Sequence, residues 1–128
     1  MADVSVERED KTVIAVITGE VDMSNAASVR QQIAESVTPD DDALLIDLSD
    51  LSFIDSAGLH ALIALGTVLD ERRQQLLLCV PHGTVIARAI EIVGLSRAIK
   101  VHADRAEAME VARTSAKESR PVDPPENT

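Results

Sequence analysis

Residues 43–59 read ALLIDLSDLSFIDSAGL, and this stretch decides the fold of the chain. It opens with a short, apolar, β-prone run at residues 43–48, which predicts a buried strand. From Ala57 to about Glu71 the spacing changes to three and four residues, which predicts an amphipathic helix. The positions that carry this spacing are Leu59, Leu62, Ile63, Gly66 and Leu69. Ser56 therefore lies just after a loop that leaves a buried strand, at the start of a helix.

A serine at the start of a helix has two interpretations. Its hydroxyl can cap a free backbone N–H group, because serine is among the preferred N-cap residues. The positive end of the helix also tolerates a phosphate, so Ser56 can instead be a site of modification. The residues alone favour the capping interpretation and leave modification open. Neither interpretation makes Ser56 a residue that performs chemistry.

The rest of the chain predicts an α/β fold with a single domain over residues 1–115. The alternation of strands and helices indicates layers around a small mixed sheet of about five strands with about four helices. Because residues 43–48 lead through a helix to residues 76–80, these two strands are expected to be parallel. Strand order stays open. The other predicted strands are 3–8, 12–18 and 98–102, and the other helices are 24–37, 84–93 and 105–115.

Composition excludes several classes of partner. The chain has 128 residues and a net charge of −10, which argues against binding to nucleic acid or to an anionic membrane. It lacks a signal-peptide pattern and any apolar run long enough to cross a bilayer, and one cysteine cannot form an internal disulfide. We therefore expect a cytoplasmic protein. Residues 116–128 are predicted to form a disordered, acidic and proline-rich tail.

Four segments of the chain resemble one known family. The segment LSFIDSAGL at residues 51–59 closely resembles the signature of the STAS-domain anti-sigma factor antagonists of bacteria. The segments ITGEVD (17–22), LLLCV (76–80) and ARAIEIVGL (87–95) agree with the family in type and order. The resemblance covers most of residues 4–112 and implies the STAS fold, a small mixed sheet with helices around it.

The resemblance also implies a function. Such antagonists bind an anti-sigma factor when they are unphosphorylated and so release a sigma factor. The anti-sigma factor, acting as a serine kinase, phosphorylates the position that Ser56 occupies and breaks the complex, and a serine phosphatase restores it. The implied partner-binding residues are Asp22, Asp55, Ser56, Ala57, Gly58 and His60. The protein would then be a substrate and binder, without catalytic residues, cofactor or bound metal, and a weak homodimer is compatible with it.

Three positions in the motif call for separate comment. Ala57 stands where some relatives carry a second hydroxyl, which leaves Ser56 as the only one. His60 stands where glycine is frequent, one helical turn beyond Ser56, and is a candidate for partner specificity. Gly58 can pack tightly against a neighbouring strand and can leave room for a kinase to approach Ser56, and the two are compatible.

Other functions remain as alternatives. STAS domains also serve as non-phosphorylated scaffolds or as transport-associated subunits of the lipid-transport type, which is the main alternative here. A serine hydrolase is disfavoured because the nucleophile elbow needs glycine where this chain has Ile54. The chain has no phosphate-binding glycine motif, so any nucleotide binding would be weak. Cys79 is expected to be a buried core thiol, and Asp40–Asp42 a solvated loop.

Overall fold

The computed structural model describes residues 1–119, with side chains through Thr114, and contains six strands and four α-helices in that range. The strands are β1 (Ala2–Glu9), β2 (Thr12–Val21), β3 (Ala43–Asp47), β4 (Leu51–Ile54), β5 (Gln75–Cys79) and β6 (Lys100–His102). The α-helices are α1 (Ala26–Ser36), α2 (Ser56–Glu71), α3 (Val85–Ile92) and α4 (Arg105–Ser119), and a short 3-10 helix spans Leu95–Arg97. The predicted single-domain α/β fold is confirmed.

The strands form one mixed sheet in the order β1-β2-β3-β5-β6. β1 and β2 form an antiparallel hairpin, and the remaining neighbours along this path are parallel. β3 and β5 pair with Leu45 opposite Leu77, which confirms the predicted parallel pair. Parallel strands place their C-terminal ends, and the loops that follow them, at one edge of the sheet.

β4 is the element that the sequence pattern does not predict. It has two buried residues at its ends and two exposed residues between them, so it lacks the alternation typical of a strand. β2 pairs with β3 along its first half and with β4 at its end, after a register shift between Gly19 and Glu20. Val21, the last residue of β2, is opposite Ile54, the last residue of β4. The loops after these two strands therefore start side by side.

The sheet has an apolar core on each face. Alternate residues of a strand point to opposite faces, so Leu44 and Ile46 belong to one core and Leu45 to the other. The larger core is covered by α1, α2 and α3, and the smaller one by α4. Phe53, the one aromatic residue of the chain, lies in neither, and both cores are aliphatic.

An ion pair and a thiol lie between α4 and the sheet. Nε and Nη2 of Arg105, at the start of α4, donate to Oδ2 of Asp47 at 3.1 and 2.8 Å. Burial alone would raise the pKa of Asp47, but hydrogen bonds from Ser49 and Arg105 outweigh it and lower the pKa. Cys79 is buried as predicted, and this burial raises the pKa of its thiol.

The loop between α1 and β3 corrects one prediction. Asp40 is exposed as expected, but Asp41 is buried, so the prediction of a solvated loop is wrong at that position. Oδ1 and Oδ2 of Asp41 accept hydrogen bonds of 2.9 Å from Nε and Nη2 of Arg8. The backbone N–H of Thr38 donates to the same carboxylate at 2.8 Å. The hydrogen bond from Arg8 holds the pKa of Asp41 below its usual value.

The C-terminal ends of α3 and α4 are both defined by the structure. Gly94 follows α3 with a φ of 73°, the left-handed conformation that glycine adopts at helix ends. α4 continues through Ser119, beyond its predicted end at Ser115. Residues 120–128 of the predicted tail lie outside the described residues.

Candidate functional site

The helix that carries Ser56 is capped by its neighbour. Asp55 has extended backbone angles, and its Oδ1 accepts a hydrogen bond of 3.0 Å from the backbone N–H of Gly58. The N–H of Leu59 donates to the Asp55 carbonyl at 3.0 Å, which is the first bond of α2. Asp55 is therefore the N-cap, and Ser56 is the first helical residue. The interpretation of Ser56 as the cap is wrong.

Ser56 itself is exposed. Within the part of the chain that the structure describes, its hydroxyl makes no hydrogen bond. It lies in the first turn of a sixteen-residue helix, where backbone N–H groups lack helical partners and the helix dipole is positive. The hydroxyl of Ser56 is thus accessible, and the backbone of Ser56 is held in place by the N-cap residue Asp55.

Asp22 forms its own turn at the end of β2. Its Oδ1 accepts hydrogen bonds from the hydroxyl of Ser24 at 2.5 Å and from the backbone N–H of Ser24 at 2.9 Å. These bonds lower the pKa of Asp22, the hydroxyl contributing most. Asn25 closes the turn, because its Oδ1 accepts from the Asp22 N–H at 2.9 Å and its Nδ2 donates to the Glu20 carbonyl at 2.8 Å.

The Asp22 turn and the Asp55 cap are joined directly. The second oxygen of Asp55, Oδ2, accepts a hydrogen bond of 3.1 Å from the backbone N–H of Met23. The N–H of Asp55 also donates to the carbonyl of Val21 at 3.2 Å. The structure therefore brings the predicted residues Asp22, Asp55 and Ser56 together, and both oxygens of Asp55 are used in holding the two loops.

Gly58 is glycine because no side chain fits there. An added Cβ would lie 2.5 Å from Cγ1 of Ile54 and 3.0 Å from Cγ1 of Val21. Gly58 is buried, so the ends of β2 and β4 support the first turn of α2 from below. Tight packing thus accounts for this glycine. Ala57 is half-buried against the larger core, whereas His60 is exposed one turn along the helix.

Two exposed apolar residues lie on the segments that meet at the start of α2, and sequence reasoning missed both. Met23 lies in the Asp22 turn and is 83% exposed, and Phe53 lies on β4 and is 46% exposed. An exposed apolar residue in a predicted loop gives no signal by itself, so only the three-dimensional position marks them. Asp22, Ser24 and Asn25 are residue types that favour turns, and they were the available signal for that loop. We call Asp22, Met23, Phe53, Asp55, Ser56 and His60 the Ser56 surface.

No hydrogen bond joins the hydroxyl of Ser56 to a histidine or an acidic side chain among residues 1–114. Nδ1 of His102, on the edge strand β6, lies 2.9 Å from Oε1 of Glu107 on α4. Within that same range of residues, no hydrogen bond joins His102 to Ser56. The described side chains include no group of three or more histidine, cysteine or acidic residues that could hold a metal. Over residues 1–119, no helix is long and apolar enough to cross a membrane. Exposed apolar side chains such as those of Met23 and Phe53 are typical of a surface that contacts a partner.

Comparison with known proteins identifies the family. The STAS domain family matches residues 3–108. The anti-sigma-F factor antagonist RsfB of Mycobacterium tuberculosis is 31% identical over 98 residues, which is 77% of this chain and 79% of RsfB. The chain therefore belongs to the STAS-domain family of anti-sigma factor antagonists, as the sequence resemblance implies.

Solved structures agree with this assignment. The crystal structure of an anti-sigma factor antagonist from Mycobacterium paratuberculosis superposes with a TM-score of 0.79 at 26% identity, covering 88% of this chain and 95% of that one. The antagonist SpoIIAA of Bacillus, in its unphosphorylated form, gives a TM-score of 0.71 at 22% identity, covering 88% of this chain and 97% of SpoIIAA. Because SpoIIAA is only 22% identical to this chain, its likeness shows the fold alone.

Proposed function

We propose that this protein is a cytoplasmic bacterial anti-sigma factor antagonist that binds its anti-sigma factor through the Ser56 surface, and that phosphorylation of Ser56 ends the binding. The observation that carries the proposal is the state of Ser56: its hydroxyl is exposed, has no hydrogen-bond partner among residues 1–114, and lies on a helix start that Asp55 caps. The likeness to RsfB supports an anti-sigma factor as the partner. Ala57 presents only a methyl group beside Ser56, and Gly58 contributes by letting the first turn of α2 pack closely on Ile54 and Val21.

The position of Ser56 suits a switch that acts on binding and leaves the fold intact. A phosphate adds roughly −1.5 to −2 charges at neutral pH, and a helix N-terminus accommodates that charge. The same group adds bulk and charge beside Met23 and Phe53, where a partner would have to desolvate the surface. A penalty of a few kcal/mol there changes affinity by orders of magnitude.

The chemistry belongs to the partners. In this proposal the anti-sigma factor is a serine kinase that transfers the phosphoryl group of ATP to Ser56, and a serine phosphatase removes it. His60, exposed one turn beyond Ser56, would help to set which kinase fits. Nucleic acid and membrane are not partners in this scheme, and any homodimer is weak.

A pull-down from native bacterial extract tests the proposal. The baits are the wild-type chain, Ser56→Glu and the control Ser96→Glu, which places the same charge on an exposed serine in the 3-10 helix. We expect an anti-sigma factor with kinase activity to bind to wild type and to Ser96→Glu, and to be lost with Ser56→Glu. The captured kinase should label wild type with ATP and leave Ser56→Ala unlabelled.

Two results would contradict the proposal. If all three baits recover the same scaffold or transport subunits, including those of a lipid-transport complex, the non-phosphorylated alternative is the better account. If Ser56→Ala is still labelled at full yield, the switch lies at another residue. Matching melting temperatures for the three baits show that a loss of binding is not a loss of fold.

A further inference from the structure

His60 is the only basic residue on the segments that form the Ser56 surface. Residues 20–25 and 50–60 contain four acidic side chains, and His60 is the one residue there that can carry a positive charge. The side chain of His60 is exposed, and it has no hydrogen bond or ion pair among residues 1–114. Its imidazole is therefore free to bind an anion that is introduced beside it.

The geometry of α2 directs this imidazole toward Ser56. Both residues are exposed, and they lie four positions apart on α2, so they share one face of the helix. Side chains at this spacing have Cβ atoms about 5–6 Å apart. Because helical side chains tilt toward the N-terminus of their helix, the side chain of His60 leans back over the turn that holds Ser56. A phosphate on Oγ of Ser56 would come within reach of the imidazole.

The nearby acidic residues do not compete for His60. Both oxygens of Asp55 already accept backbone N–H groups, and Oδ1 of Asp22 is bound within its own turn. On the other side of His60, the residues one turn further along α2 are uncharged, namely Ile63 and Ala64. A phosphate on Ser56 would therefore be the one anion placed one helical turn from this imidazole.

We propose that His60 binds the phosphate of phosphorylated Ser56 from within the same helix. This inference rests on the proposed function, because it concerns the phosphorylated state. An imidazole donates an N–H to a phosphate oxygen, and the bond is stronger when the ring is protonated. The contact holds the phosphoryl group along the exposed face of α2, over the surface that the anti-sigma factor would contact. It also offsets part of the negative charge that phosphorylation adds to an already acidic surface.

Basic residues on neighbouring elements are the alternative partners for the phosphate. They are Arg30 on α1, His82 in the turn after β5 and Arg88 on α3. α1 packs against α2, and α3 packs against β4, so these elements come near the start of α2. None of the three residues belongs to the helix that carries Ser56, and a test has to separate them from His60.

Phosphorus NMR of the full chain, with phosphoserine genetically encoded at position 56, tests the contact. The second ionisation of phosphoserine ordinarily occurs at about pH 6. A cation one helical turn away stabilises the doubly charged form, so His60→Ala should raise the midpoint of this ionisation by roughly 0.2–0.4 pH units. His60→Lys, which keeps a cation at the same position, should return the midpoint to the wild-type value or below it.

Matched variants show whether the effect belongs to His60. Arg30→Ala, His82→Ala and Arg88→Ala should each leave the midpoint unchanged. The proposal is overturned if His60→Ala titrates like the wild type, if one of these three variants shifts the midpoint as much, or if His60→Lys fails to restore it. Because the phosphate is installed without a kinase, a negative result here leaves the proposed function standing. A kinase that ignores Ser56 would contradict the proposed function and leave this titration unaffected.

Discussion

The backbone N–H of Met23 donates a hydrogen bond of 3.1 Å to Oδ2 of Asp55, and this bond joins two loops that are far apart in the sequence. Because Oδ1 of the same carboxylate caps α2, one side chain fixes both the Asp22 turn and the helix start that carries Ser56. Asp55 therefore acts as a positioning residue for the Ser56 surface, in addition to any contact with a partner.

Replacing Asp55 should destabilise the protein more than replacing Ser56. Asp55→Ala removes the N-cap and the bond to Met23, so the free energy of unfolding should fall by about 1–2 kcal/mol. Ser56→Ala removes an exposed hydroxyl and should lower the free energy of unfolding by less than about 0.5 kcal/mol. Urea unfolding of both variants measures the difference. The reverse order would show that Ser56, and not Asp55, caps the helix in solution.

The two glycines of α2 should respond oppositely to alanine. At Gly58 a methyl group would lie 2.5 Å from Ile54, so Gly58→Ala should cost about 1–3 kcal/mol. At Gly66 the nearest atom would be Cδ1 of Ile99 at 3.4 Å, an ordinary contact. Gly66→Ala should therefore be neutral or stabilise the helix by up to about 1 kcal/mol. Thermal unfolding of the pair checks this, and equal losses at both positions would contradict the packing described for Gly58.

Removing Arg8 should make the protein more sensitive to acid. In the folded protein the hydrogen bond from Arg8 lowers the pKa of Asp41 below its usual value, which is about 3.9 in an unfolded chain. That carboxylate thus stabilises the fold above its unfolded pKa, and the stabilisation is lost as the pH falls through the folded pKa. In Arg8→Gln the folded pKa rises, so acid unfolding should begin at a higher pH.

Circular dichroism from about pH 7 down to pH 2 measures this shift. Arg113→Gln is the matched control, because Arg113 pairs with Glu110 and Glu9 on the exposed surface. Its acid transition should overlay that of the wild type. An unchanged transition in Arg8→Gln would mean that the buried carboxylate does not depend on its arginine.

Cys79 should react with thiol reagents only when the protein unfolds. It is 1% exposed, and burial raises the pKa of its thiol, so both access and the thiolate fraction are low in the folded state. Labelling with a disulfide reagent at neutral pH should be slow in buffer and rapid in denaturant. Rapid labelling of the native protein would indicate that β5 opens without global unfolding.

Local patterns were sufficient to predict most of the fold. The strands at 43–48 and 76–80 are continuous apolar runs joined by an amphipathic helix, and such a unit has essentially one parallel arrangement. The position of Ser56 between a strand and a helix follows from the change of apolar spacing between residues 43–48 and the run that begins at Ala57. The family motif then placed Asp22 beside Asp55, a proximity that the hydrogen bond from Met23 now shows.

The features that were not predicted depend on residues distant in the sequence. β4 has only four residues, and it forms a strand because a register shift frees the end of β2 to pair with it. Asp41 lies in a loop whose acidic composition predicts exposure to solvent. It can be buried because the guanidinium of Arg8, on β1, reaches its carboxylate. Ser56 was a candidate N-cap, and the structure gives that role to Asp55; both residue types are good N-caps, so only geometry separates them.

The two faces of the sheet carry apolar cores of unequal size, and this difference has a consequence for internal motion. α4 rests on a small set of apolar residues and on the ion pair between Arg105 and Asp47, while the Ser56 surface belongs to the opposite, larger core. Opening of α4 would break none of the hydrogen bonds of Asp22 or Asp55. Amide hydrogen exchange should therefore be faster in α4 than in α2, and a probe attached near the end of α4 can report on the protein without disturbing recognition at Ser56.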